Sequence, residues 1–157
     1  MKNKYIKLAV AILMSLVAGV IGSTATVTGI NSWYADLVKP FFNPPNWIFG
    51  PVWTMLYILM GISLYLVWQK GLKKSFIKNS FILFIINLIL NSFWSVSFFG
   101  MQNPALAFMV IIVLWLVILM LIIRFYKINK AASYLLIPYI LWVSFASVLN
   151  FSIWQLN

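Results

Sequence analysis

The sequence predicts an all-α fold, an integral membrane bundle of five transmembrane helices. Three observations carry this reading. Only 8% of the 157 residues are charged and 64% are hydrophobic, with a mean hydropathy of +1.04, whereas a soluble domain is about 25% charged. No Asp, Glu, Lys or Arg occurs in residues 8–35, 40–69, 79–123 or 131–157, and a bilayer core asks for about 20 predominantly apolar residues per helix. The 45 residues of run 79–123 would form a helix of about 67 Å against a hydrocarbon core of about 30 Å, so this run must fold back on itself. The expected spans are about 7–27, 46–69, 77–99, 104–126 and 131–154, in one domain covering 1–157 with no linker or low-complexity tract.

Span one follows Lys2, Lys4 and Lys7. With Ser23-Thr24-Ala25 behind it, it has some features of a secretory signal, but its uncharged run exceeds the roughly 7–15 residues of such a core. It also carries Ser15, Ala18, Gly19, Gly22, Ser23 and Thr26 at three- and four-residue spacing. Small residues so placed let helices approach closely in lipid, so a retained helix is expected. Residues 33–57, WYADLVKPFFNPPNWIFGPVWTMLY, join spans one and two with three Trp and four Pro. This composition predicts a rigid aromatic lip over the bundle, suited to a flat apolar ligand. In span two, Trp53, Tyr57 and Met60 share a face. In span three, Asn87 and Asn91 share one with Trp94 and Phe98. An amide buried in lipid without a partner is costly, so these asparagines either bond between helices or face a cavity. Gly100 to Asn103 supply the turn into span four, with Asn103 as N-cap and Pro104 at the first helical position. Trp68, Trp115 and Trp154 read as interfacial anchors, a role that Trp115, near mid-span, fits poorly. In span five, Pro138, Trp142, Ala146 and Asn150 share a face, and Pro138 should bend the helix.

The net charge of +10 does not point to nucleic acid, because every basic cluster abuts a span. Lys2, Lys4, Lys7, Lys70, Lys73, Lys74, Lys78, Arg124, Lys127 and Lys130 fall on one side, and Lys39 alone on the other. The positive-inside rule then places the N-terminus in the cytoplasm, and the lip and C-terminus outside, in the cell membrane. The basic loops are placed to touch anionic lipid. The chain has no Cys and no His, and Asp36 is its one side-chain carboxylate. Thiolate chemistry, His-based acid–base catalysis and a paired-carboxylate hydrolase are thereby excluded, and no metal site or cofactor is expected. No ionisable side chain falls at mid-membrane, which disfavours ion-coupled transport.

The motifs WYADLVKP (33–40), PP-x-W-x-F-x-x-VW-x-x-LY (44–57), N-x-x-x-N-x-x-W (87–94) and PY-x-x-W-x-x-FA-x-x-LN (138–150) resemble, in order and spacing, those of the translocator protein family. Its members are also called tryptophan-rich sensory proteins (TspO/MBR) or peripheral-type benzodiazepine receptors. The resemblance implies a five-helix membrane protein, often a homodimer. It implies binding of porphyrins such as protoporphyrin IX, of isoquinoline carboxamide drugs and, in animal members, of cholesterol. The family pocket carries over to Tyr34, Pro44, Trp53, Tyr57, Asn87, Asn91, Trp142 and Ala146, with Trp94 added by its place on the Asn87–Asn91 stripe. Some bacterial members promote light-dependent porphyrin breakdown, and the tryptophans implicated there match Trp53 and Trp142, the catalytic candidates here. The animal sterol motif in the fifth helix is missing, since the corresponding segment is LNFSIWQLN, and Lys130, Tyr134 and Leu136 form only a weak alternative. The expected function is therefore a receptor-like binder of porphyrins, with possible photochemical turnover. The alternatives are an uncoupled transporter of tetrapyrroles or sterol-like lipids and a membrane scaffold that regulates partners.

Overall fold

The computed structural model describes residues 2–157 and is helical throughout its regular structure. The elements are α1 (Lys2–Ile30), α2 (Trp33–Asp36), α3 (Asn46–Trp68), α4 (Ser75–Ser95), α5 (Pro104–Ile128), α6 (Lys130–Tyr134) and α7 (Ile137–Leu156). Five stretches are long and apolar enough to cross a membrane: Asn3–Ile30, Asn46–Trp68, Ser75–Gly100, Pro104–Ile128 and Lys130–Leu156. They contain the five expected spans almost entirely, with most ends extended by a few residues. Successive spans run antiparallel, so the basic loops gather at one end and the lip lies at the other.

The turn after α4 forms as its residues dictate. The helix widens into a π turn over Val96–Gly100, closed by Met101 N–H on the Val96 carbonyl at 2.8 Å. Gln102 takes a positive φ of 53°. Asn103 caps α5 by accepting from Leu106 N–H at 3.0 Å, with Pro104 in the first turn, where it needs no donor.

Span five departs from expectation. Pro138 does not bend a continuous helix. α6 stops at Tyr134, and α7 restarts at Ile137 with Pro138 in its first turn. There the missing N–H would have had no helical partner in any case. Asn129 starts the short α6 by accepting from Ala132 N–H at 3.2 Å.

Small residues on α1 set its packing. Ala11, Ser15, Ala18 and Gly22 are buried. Ser92 Oγ donates to the Ala18 carbonyl at 2.8 Å and Ser95 Oγ to that of Gly22 at 2.7 Å, which ties α4 to α1. Facing them, Gly61 of α3 sits so close that a Cβ there would lie 2.5 Å from Ile12 Cα. In lipid such contacts hold helices by dispersion and hydrogen bonding rather than by expulsion of water. α4, α5 and α7 form the rest of the core around Phe84, Phe125, Leu114, Ile118 and Leu121. At the basic end Arg124 donates to Ser80 Oγ at 2.9 Å and lies over the Phe76 ring. Trp115 is not an interfacial anchor: its Nε1–H donates to Ser144 Oγ at 2.8 Å, a bond between α5 and α7.

Candidate functional site

The three polar and aromatic stripes meet inside the bundle. On α3, Trp53 stacks on Tyr57 with centroids 5.6 Å apart, and it meets Trp94 of α4 and Tyr139 of α7 at 6.3 Å each. Behind these rings runs an oriented chain of hydrogen bonds. Tyr57 OH donates to Asn91 Oδ1, Asn91 Nδ2 donates to Tyr139 OH at 3.0 Å, and Tyr139 OH donates to Asn87 Oδ1 at 3.1 Å. All four groups are buried. One turn nearer the lip, Trp94 Nε1–H donates to Asn150 Oδ1 at 3.0 Å, and Asn150 Nδ2 donates to the Pro104 carbonyl at 2.8 Å. Both expected asparagines are thus interhelical linkers. Asn87 Nδ2 and Trp142 Nε1 are left without an acceptor among the described residues.

A cavity of about 420 Å³ lies between the lip-side halves of α1, α3 and α4. Trp53, Tyr57, Asn91 and Trp94 form its inner wall, α1 contributes Gly19, Gly22, Ser23 and Thr26, and Phe49 lies at its lip end with the exposed Gly50 at its edge. Gly19 has a specific use here. A Cβ at this position would fall 2.5 Å from Tyr57 Cε2, so the missing side chain is the space the phenol ring occupies. Gly50 meets nothing within 4 Å and borders open space.

A second void, of about 20 Å³, lies beneath the lip among Tyr34, Trp94, Phe98, Ala146 and Asn150. Tyr34 plugs it. Its ring packs on Phe98 and Phe99, and its hydroxyl donates to Asn43 Oδ1 at 2.6 Å. Burial pushes the Tyr34 phenol up to about 12, with the Asn43 bond pulling the other way. The lip is also fastened at its far side, where Val38 N–H donates to Asn157 Oδ1 and Asn157 Nδ2 to the Val38 carbonyl, each at 3.0 Å.

Trp53, Tyr57, Asn91 and Trp94 therefore share the large cavity. Tyr34 and Ala146 share the small void with Trp94, and Asn87 stands behind in the hydrogen-bond chain. Pro44 lies in the lip, its carbonyl accepting from Asn43 Nδ2 at 3.2 Å. Trp142 borders neither space; it packs edge-on against Phe49 at 6.1 Å and lies tilted against Phe145 at 5.5 Å. Phe49, which Trp142 packs against, is a residue of both linings. Sequence reasoning overlooked Phe49, Gly19, Thr26, Ser95 and Tyr139 as site residues. Phe49 could have been found, since it lies one helical turn before Trp53. Tyr139 sits within the PY motif but looks like an interfacial ring.

The sequence pattern of the TspO/MBR family matches residues 11–155. The chain is 46% identical to the tryptophan-rich protein TspO of Chlorobaculum tepidum, over 100% of this chain and 99% of the relative. It is 46% identical to the protein of the same name from Archaeoglobus fulgidus, over 97% of each. It is 34% identical to the human translocator protein, over 80% of this chain and 75% of that one.

Proposed function

Because the chain belongs to the TspO/MBR family, a family of membrane sensors and receptors, we propose that it binds flat hydrophobic ligands, protoporphyrin IX and related tetrapyrroles among them, in the cavity between α1, α3 and α4. The observation that carries this reading is the Trp53–Tyr57 stack on the wall of a 420 Å³ space. The two rings are inclined by 29°, and a macrocycle laid against this pair gains dispersion and offset stacking. The basic end faces the cytoplasm, and the lip and C-terminus lie outside.

Receptor behaviour is favoured over transport by the blind inner end of the cavity. Its deepest residues are Leu16, Tyr57 and Asn91, and beyond them Met60, Leu64 and Phe84 are fully buried. Trp53 is also an oxidisable indole on the cavity wall. A photoexcited porphyrin held against it takes an electron from the indole and passes it to oxygen as superoxide. The indole radical recovers an electron from the ground-state porphyrin, and the porphyrin radical cation combines with superoxide. Light-dependent breakdown therefore consumes one porphyrin and one oxygen, restores the indole, and turns on Trp53 before Trp142.

Titration of the purified protein with protoporphyrin IX, in the dark and under light, tests this. Saturable one-to-one binding is expected without flux across liposomes. Trp53→Ala should weaken it by about 1–3 kcal/mol, the range for losing one aromatic stacking contact. Trp68→Ala, at the basic end against Phe81, should leave it unchanged. Equal effects of the two changes would remove the site. In Trp53→Phe, binding should largely persist while photodegradation slows.

A further inference from the structure

Resting on the ligand site proposed above, we infer that the Tyr57–Asn91–Tyr139–Asn87 chain reverses when an acceptor oxygen of the ligand reaches the inner end of the cavity. Tyr57 is then that oxygen's hydrogen-bond donor, and the ligand class so selected is a flat apolar molecule carrying a carbonyl or carboxylate. The first ground is the orphan at the far end of the chain. Tyr57 donates to Asn91, Asn91 to Tyr139 and Tyr139 to Asn87. Asn87 Nδ2, on a fully buried side chain, is left without an acceptor among the described residues. A buried N–H without a partner is tolerated less well than a carbonyl oxygen in the same position.

The second ground is that these four groups bond equally well in the other direction. An amide exchanges donor and acceptor by turning over in place, and a phenol hydroxyl both donates and accepts. With both asparagines turned over, Asn87 Nδ2 donates to Tyr139, Tyr139 to Asn91 Oδ1 and Asn91 Nδ2 to Tyr57. All three hydrogen bonds are kept, and the orphan becomes the Asn87 oxygen. The Tyr57 proton is released in exchange. Tyr57 and Asn91 line the cavity, whereas Asn87 and Tyr139 do not, so this proton serves what occupies the cavity. Without an acceptor there it has no partner, and the observed direction holds. A ligand oxygen supplies the partner.

The third ground is where the other donors stand. Asn46, Trp47 and Trp53 also line the space, nearer the lip, and their side-chain N–H groups form no hydrogen bond among the described residues. Trp94 has committed its N–H to Asn150, and Ser95 its proton to the Gly22 carbonyl. The deepest donor that a ligand can recruit is therefore Tyr57.

The test uses the full chain in lipid nanodiscs, with protoporphyrin IX and etioporphyrin, an alkyl porphyrin without oxygen, as probes. Each variant is compared with the wild type on the same probe, so partitioning into lipid cancels. Tyr57→Phe should weaken protoporphyrin IX about tenfold, as expected for one hydrogen bond to a carboxylate, and leave etioporphyrin within about twofold. Asn87→Leu changes a residue outside the cavity lining and removes the acceptor that holds the observed direction. The chain is then reversed before the ligand arrives, so protoporphyrin IX should bind several-fold more tightly and etioporphyrin as before. Weakened binding of both probes would make Asn87 a packing residue and overturn the reversal. Infrared difference spectra of the wild type, isotope-labelled at the tyrosine rings, decide the matter even if Asn87→Leu fails to fold. The Tyr57 C–O band, assigned by its loss in Tyr57→Phe, should move with protoporphyrin IX from a donating to an accepting and donating phenol, and stay in place with etioporphyrin. Saturable binding of both probes with an unmoved band would overturn the reversal and leave the site intact. No saturable binding of either probe would remove the site itself, and this inference with it.

Discussion

Single residues in this bundle divide into those whose chemistry is conspicuous in an apolar helix and those whose chemistry is not. Asn87 and Asn91 were legible because an amide in a membrane span demands a partner. Their shared partner, Tyr139, was not, because a tyrosine near a helix end is ordinary. Yet Tyr139 is the hinge of the chain, accepting from Asn91 and donating to Asn87. Tyr139→Phe leaves one buried donor and one buried acceptor unpaired, at a cost of about 1–3 kcal/mol. Its thermal unfolding midpoint should fall well below that of Tyr134→Phe, whose ring is exposed. Tyr34 makes a second residue-scale case, this time with pH. Its phenol is held up to about 12 in the folded lip, above about 10 for a free tyrosine. The folded state thus keeps its proton longer, so Tyr34's contribution is complete below pH 10 and is lost as pH rises through 12. Phenolate absorbance of the wild type minus that of Tyr34→Phe should show a component titrating above pH 10. A component at the free-tyrosine value would mean that the lip is open.

At the scale of elements, sequence and structure agree where end signals are unambiguous. Gly100 to Pro104 combine a flexible residue, a capping side chain and a first-turn proline, and the α4–α5 turn forms there with Asn103 as its cap. Pro138 misled because proline serves equally as a kink and as a helix start. What decides between them is tertiary: Ser63 Oγ donates to the Ala132 carbonyl at 2.6 Å and Ser133 Oγ to that of Ile122 at 2.8 Å, fixing α6 separately from α7. The small-residue ladder on α1 announced close packing but not its partner, since Gly61 lies in α3 among larger side chains. Gly61→Ala would put a methyl 2.5 Å from Ile12 Cα. Backbone there cannot rotate away, so α1 and α3 must separate, at about 1–3 kcal/mol for overpacking. Gly50→Ala adds the same atom to open space, and it should unfold at the wild-type temperature. Equal destabilisation of the two would show that α1 and α3 do not approach so closely at Gly61.

Over the whole molecule, five-span architecture was legible because uncharged run lengths and bilayer thickness leave little choice. The cavity was legible only on its α3 and α4 walls. Its α1 wall consists of Gly, Ser and Thr, which advertise packing rather than a ligand. Orientation belongs to this scale too, since it depends on the sum of charges and not on any one of them. By the positive-inside rule, ten basic residues at one end against Lys39 at the other predict a cytoplasmic basic end. The chain contains no cysteine, so single introduced thiols report without background. Lys73→Cys lies in the basic loop between α3 and α4, and Phe41→Cys in the lip, where the native ring is fully exposed. A membrane-impermeant maleimide should label Phe41→Cys on intact cells, and it should label Lys73→Cys only after permeabilisation. The reverse pattern would invert the protein.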